Sequence, residues 1–426
     1  MSKFLNYVIY VTIFSLPLYI IRGQVLGIPF TFLEVLILLT FGFWLVKVVV
    51  EKDFKSIKDL FTDKRLISVW LFLIAGIISV FVSPDKNTAL GILKAYIIEP
   101  ILLFIVLFSS IKEQKQLTGV FYSLLFSGIM TSIIAVSQKI TGTDVYAPHE
   151  ISQGRITGFF NSANALCLYL IPITIILLSK ILFLIKRKQS DQTKSERKKT
   201  FVLMIFLVLF LSVIYMTESS GGMLGAIFAL GAVFVLHLVK VKISLSPNTI
   251  KRIILLCVGL YFVSQIFFFT VISKFTPHLS ERPLVRVFDN TVIVRLCLFE
   301  GTWKMLQDHR ILGTGLSNFP ITYYSYVTCD PELLQYPHNL ILNFWSELGL
   351  LGLLSFGMLI IIYLKNLFSK HNGMNFWQIG LLGILIYYLI HGLVDVPYFK
   401  NDLSLMWWIF LGLSFVVMIP QRLDRK

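Results

Sequence analysis

The apolar residues of this 426-residue chain come in runs of roughly 17 to 25, broken by short polar stretches. That is the length a helix needs to cross about 30 Å of hydrocarbon. Backbone groups in lipid must be satisfied within their own segment, so such runs are helices. The pattern predicts an all-α fold: a polytopic membrane helix bundle of about twelve transmembrane helices. They are expected near 5–21, 28–48, 66–83, 89–110, 118–138, 163–184, 201–216, 220–240, 253–273, 340–364, 376–394 and 402–419. The first contains Pro17, and the tenth contains Gly349 and Gly352, residues that can break a helix. One large polar loop, 274–338, separates helices nine and ten. Inside it, 291–307 reads as an amphipathic helix suited to a membrane surface. Arg295, Phe299 and Trp303 share one face, and Glu300 can pair with Lys304. No internal repeat is visible.

Three regions follow from this layout. Residues 1–199 hold the first six helices and end in the basic linker 186–199, a solvated segment that would meet anionic lipid. Residues 200–365 form a core that includes the large loop, and 366–426 form a closing helix pair with a tail.

Composition agrees with the pattern and excludes a soluble domain. Hydrophobic residues make up 56% of the chain and charged residues only 14%, where soluble domains carry about 25%. A net charge of +15 would suggest a nucleic-acid partner in a soluble protein, but here its distribution points to a lipid bilayer and no nucleic acid. With the amino terminus in the cytoplasm, about 26 of the 38 lysines and arginines fall in the inner loops. Both termini are then expected inside, with 274–338 extracytoplasmic. The first apolar run lacks a small-residue cleavage pattern and is expected to remain as an anchor.

The polar residues that remain are concentrated on the outer side. Tyr336-Pro337-His338-Asn339 runs directly into the tenth helix, setting an imidazole and an amide where lipid meets water. Histidine titrates near working pH and suits the handling of a hydroxyl proton. Arginine stays charged and grips phosphate oxygens bidentately. Of the outer arginines, Arg155 and Arg295 lie closest in sequence to glycine-bearing polar turns. His338 is the strongest histidine candidate, with capping of the tenth helix as its plain structural alternative. His237 reads as a packing residue, and His391 stands four before Asp395.

Lys94, Glu34, Glu99, Glu218 and Glu347 lie in or near membrane segments, where charge is costly, and Lys94 and Glu99, five apart and so on different faces, each need a partner on another helix. Gly221 and Gly225 have the spacing that lets two helices approach closely. Cys297 and Cys329 are expected as free thiols, a disulfide in an oxidising exterior being the alternative. No spacing supports a metal site.

Together these features resemble the O-antigen ligase/polymerase family of bacterial membrane glycosyltransferases. The likeness spans nearly the whole chain and is densest from 200 to 365. It is carried by PHNLILNFWSELGLLGLLSF (337–356), by Arg295, Phe299 and GTGLSNF (313–319), by GRITGFFNSANALCLYL (154–170) and by HGLVDVPYFKNDL (391–403). The resemblance implies a metal-independent transfer without cofactor or nucleotide sugar, in the cytoplasmic (inner) membrane. The donor would be a glycan on undecaprenyl diphosphate, a polyprenyl diphosphate, and the acceptor a glycan or lipid. Arg295 would hold the diphosphate and His338 the acceptor hydroxyl. Arg155, Arg286, Asn339, Asn164 and Asp395 would bind substrate. Three positions depart from the family pattern: Ser220 stands where many members have arginine, Ala163 where proline is frequent before Asn164, and Arg310 where proline is frequent before the Gly-x-Gly turn. The rival readings are a transporter of an anion or lipid-linked sugar, and an inactive relative serving as scaffold.

Overall fold

A computed structural model describes residues 1–25, 28–143, 146–186, 194–239, 290–327, 334–368 and 374–417, with scattered positions between 252 and 263. Among the described residues, eight helices are long and apolar enough to cross a membrane, and two shorter apolar helices, Phe376–His391 and Asn401–Val416, join them. The chain is a multi-pass membrane protein. Side chains such as Leu38, Val49, Phe81, Ile133, Val208 and Ile227 are exposed on its outer surface, the face that lipid covers. The ninth expected helix, 253–273, lies mostly outside the described residues.

The first helices depart from expectation for local reasons. Helix α1 (Ser2–Phe14) stops before Pro17 and continues as a single 3-10 segment, Leu16–Ile20. Residues 28–31, expected as helix, form strand β2 (Ile28–Thr31), paired antiparallel with β1 (Arg22–Val25). Pro29 suits a short edge strand and disfavours a helix continuing through it. Helix α2 (Phe32–Val50) then begins at a capping box, in which the Thr31 side chain accepts from Glu34 N and the Glu34 carboxylate accepts from Thr31 N.

After α3 (Phe54–Thr62) and α4 (Ile67–Val82), the next span is built from α5 (Lys86–Leu93), a π-helical turn (Lys94–Ile98) and α6 (Glu99–Ser110). The turn presents Lys94 to Glu34 of α2 as an ion pair, and Glu99 acts electrostatically on the same carboxylate. The expected cross-helix partner of Lys94 is therefore found.

Helices α7 (Gln114–Thr141), α8 (Pro148–Ser152), α9 (Ala163–Lys186), α10 (Lys194–Met216) and α11 (Ser220–Val239) follow. Within the large polar loop are α12 (Asn290–Asp308) and the short α13 (Phe319–Tyr323). The last spans are α14 (Leu340–Leu367), α15 (Phe376–His391) and α16 (Asn401–Val416). Glu300 and Lys304 of α12 pair at 2.7 Å, as their spacing predicts. The apolar face of α12 packs on protein: Phe299 is buried in a cluster with Phe319, Tyr323 and Leu342 of α14. Cys297 is disulfide-bonded, which corrects the expectation of a free thiol at that position; Cys329 lies outside the described residues.

Helix α14 is interrupted at Gly349, whose φ of 66° and ψ of −171° are non-helical and belong to a region open essentially to glycine. The hydrogen bond from Leu350 N to Ser346 O is lost there. The Gly313–Gly315 turn fills the gap: Leu350 N donates to Ile311 O at 2.9 Å, and Thr314 N donates to Ser346 O at 2.7 Å. The Glu347 carboxylate, fully buried, accepts from Ser317 N at 2.6 Å. The break itself is expected from the glycine, while the partners of the freed groups come from a distant segment that the fold brings in.

At one end of the bundle lie the connections 146–162, 217–219, 334–339 and 392–400, joined by bonds such as Leu340 N to Gly392 O at 2.8 Å. At the other end, the Asn375 amide reaches Val417 O at 3.0 Å and the Gln378 amide reaches Leu367 O at 2.6 Å. Helix α15 ends at His391, three residues short of expectation, because 392–400 folds back over the first of these ends.

A Cβ on Gly349 would lie 2.5 Å from Ile311 O, whereas a Cβ on Gly42 would meet nothing within 4 Å. Gly349→Ala is expected to lower stability by about 2–3 kcal/mol, from positive-φ strain and the steric clash together. Gly42→Ala should be neutral or slightly stabilising. Thermal unfolding in detergent separates the two, and equal melting temperatures would contradict the inserted turn.

Candidate active site

His338 stands directly before the first turn of α14 with a positive φ of 47°, a backbone state that non-glycine residues adopt rarely. The capping function expected as its alternative falls instead to Asn339. The Asn339 side-chain oxygen accepts from Ile341 N at 3.0 Å and Leu342 N at 3.1 Å, and its amide donates to Leu393 O at 3.1 Å. Asn339, placed in the sequence among substrate-binding residues, thus ties α14 to the 392–400 segment.

The imidazole of His338 is left for another partner. Its Nδ1 lies 3.2 Å from Asp395 Oδ1. Asp395 is buried, while His338 is 24% exposed. An ionised carboxylate only accepts, so Nδ1 carries the proton and donates. Nε2 is then the basic nitrogen. Burial pushes the Asp395 carboxyl up, but the His338 hydrogen bond and charge, the nearby His391 and the Val396 N–H outweigh it. The group is held well below the usual carboxylate range.

A second histidine completes the arrangement. His391 Nε2 lies 3.8 Å from Asp395 Oδ2, and its Nδ1 lies 2.7 Å from the Tyr387 hydroxyl. Helix α11 packs on it through glycines: a Cβ on Gly221 would fall 2.8 Å from Val394 and 3.4 Å from the His391 ring, and one on Gly225 would fall 2.9 Å from Tyr387. The expected close helix approach is therefore α11 against α15. His391 also feels the charges of Asp395, Arg295 and His338, so the guanidinium of α12 and the imidazole before α14 act on one buried ring. Arg295 has no carboxylate within ion-pair distance among the described residues.

Arg155 and Asn164 are brought together, though as a fixed network. Arg155 Nη1 pairs with the buried Glu150 at 2.8 Å, Nη2 donates to Asn164 Oδ1 at 2.9 Å, and Nε donates to Thr217 O at 2.9 Å. Gln138 braces the adjoining turn by accepting from Thr157 N and Gly158 N. Arg286 lies outside the described residues.

Sequence reasoning missed Lys400. This half-buried lysine donates to Asn161 Oδ1 at 3.1 Å and interacts electrostatically with Asp402, Asp395 and Glu150. The signal was present as a lone lysine between two aspartates in DVPYFKND. His237, by contrast, meets the Ser179 hydroxyl at 2.9 Å, the packing role expected of it.

A carboxyl with a depressed folded-state pKa stabilises the fold above its ordinary range and loses that contribution as pH falls below it. The stability gap between wild type and Asp395→Asn is therefore expected to hold from pH 7 to about 5 and to narrow below about 4. Thermal unfolding across that range reads it. A gap that stays constant to about pH 3 would argue against the His338–Asp395 pair.

Residues 205–357 match the family model described as O-antigen ligase, a stretch that contains Arg295 and His338 and ends before Asp395 and Lys400. A protein of Rickettsia conorii whose name proposes a polysaccharide ligase is 27% identical over 239 residues, covering 53% of this chain. The chain spans about half, 52%, of that curated relative's length. On these findings the chain is similar to the O-antigen ligase family across residues 205–357.

Proposed function

We propose that this protein is a membrane glycosyltransferase that moves a glycan from undecaprenyl diphosphate to an acceptor hydroxyl on the extracytoplasmic face, as a ligase or a repeat-unit polymerase. The observation that carries the reading is the His338–Asp395 pair, which leaves an imidazole nitrogen basic at a site where Arg295, without a carboxylate partner among the described residues, acts on the same buried His391. The family match and the relative's name favour glycan transfer over transport.

In this reading His338 Nε2 takes the proton of the acceptor hydroxyl as its oxygen attacks the anomeric carbon of the donor. The bond from that carbon to the diphosphate oxygen breaks, and the electron pair leaves with the diphosphate. Arg295 meets the growing negative charge, the term that usually dominates such catalysis. Asp395 keeps the imidazole in the required tautomer and stabilises it once protonated. Arg155, committed to Glu150, Asn164 and Thr217, holds the 146–164 segment in place.

Purified protein reconstituted in sealed lipid vesicles, given a polyprenyl-diphosphate glycan and an acceptor glycan, is expected to form the joined product. His338→Ala should lower the rate about 10²–10⁴-fold, the worth of a general base. Arg295→Ala should cost about 10²-fold or more. Both variants should insert in the membrane as wild type does. Full activity in both removes the site assignment, and flux of donor without product favours a transporter.

A further inference from the structure

Arg155, Arg295 and Lys400 all stand at this end of the bundle, and their partners differ. Arg155 is saturated by Glu150, Asn164 and a backbone carbonyl. Arg295 has no carboxylate partner among the described residues, and neither does Lys400. The Lys400 ammonium has three donors, and one goes to Asn161.

Resting on the transferase reading, we infer that Lys400 is a diphosphate-binding residue, set between the His338–Asp395 pair and the Arg155–Glu150 pair, that joins Arg295 in holding the donor's anionic headgroup. The acidic groups in its field are committed or enclosed. Asp395 serves His338, and Glu150 serves Arg155. Asp402 is fully buried, with no side-chain hydrogen bond to either oxygen. A half-buried cation without a close counter-ion costs stability, and an anion docking beside it offsets that cost. Burial pushes the Lys400 ammonium down from its ordinary range, the direction expected of such a group. Lysine acts on phosphate as a point charge on a flexible stem, which complements the fork of Arg295. The competing account is that Lys400 only balances the Asp402 charge.

The full chain in phosphatidylethanolamine nanodiscs, titrated with undecaprenyl diphosphate, distinguishes these accounts. Lys400→Gln is expected to weaken binding about tenfold or more, and Lys400→Arg to stay within about threefold of wild type. In unaltered protein, undecaprenyl diphosphate should protect Lys400 from acylation, a readout that needs no variant to fold. Unchanged binding by folded Lys400→Gln overturns the inference. So does recovery of both melting temperature and binding on adding Asp402→Asn to Lys400→Gln. Equal protection of Lys400 by phosphatidylglycerol overturns it too, since the site would then take any anionic headgroup. Wild type that binds undecaprenyl diphosphate through Lys400 but never transfers glycan would sink the transferase reading and leave the diphosphate site standing.

Discussion

A helix broken where it is buried among other helices leaves a donor and an acceptor that apolar surroundings cannot satisfy, and the break at Gly349 is where this molecule meets that constraint. The orphaned pair, Leu350 N and Ser346 O, is taken up by Ile311 O and Thr314 N of one inserted turn. The insertion needs glycine on both sides, because a Cβ on Gly313 would lie 2.5 Å from Ser346 O. It also has a consequence for the site. The turn follows directly on α12, so the segment carrying Arg295 is anchored to the helix that His338 precedes. Rigid elements, rather than a free loop, then set the geometry between guanidinium and imidazole.

Charge placement follows the same logic of partners. In the spans, Lys94 is neutralised by Glu34 across two helices, and Glu34 is itself used to cap α2. At the site end the pairing is incomplete. Asp395 is shared between His338 and His391, Glu150 is bound to Arg155, and Arg295 and Lys400 remain without carboxylates among the described residues. Uncompensated charge of one sign at the lip of a low-dielectric bundle is what an anionic headgroup requires. The strained backbone of His338 belongs in this setting, since Pro337 before it and the Asn339 cap after it leave the ring free for Asp395.

Much of this was legible in the residues themselves. The apolar runs marked the spans, the i,i+4 spacing marked Glu300–Lys304, and Gly221 and Gly225 marked a close helix contact. Other features were not. Arg155 looked free to bind phosphate because its neighbours in sequence are glycine, isoleucine and threonine. Its partners Glu150, Asn164 and Thr217 lie 5, 9 and 62 positions away. Cys297 looked free because no spacing rule selects a partner across a long loop.

Span length, amphipathic faces and helix-breaking glycines and prolines are local properties, set by side-chain polarity and backbone sterics within a turn or two. Residue order alone therefore specified the bundle, most helix ends and the histidine at the mouth of the tenth span. Which carboxylate meets that histidine, which arginine is tied up, and where Lys400 stands depend on distant segments converging: His338 and Asp395 are 57 positions apart, and Lys400 and Asn161 are 239 apart. Folding decided those contacts, because a hydrogen bond depends on distance in space and short-range pattern carries no record of it.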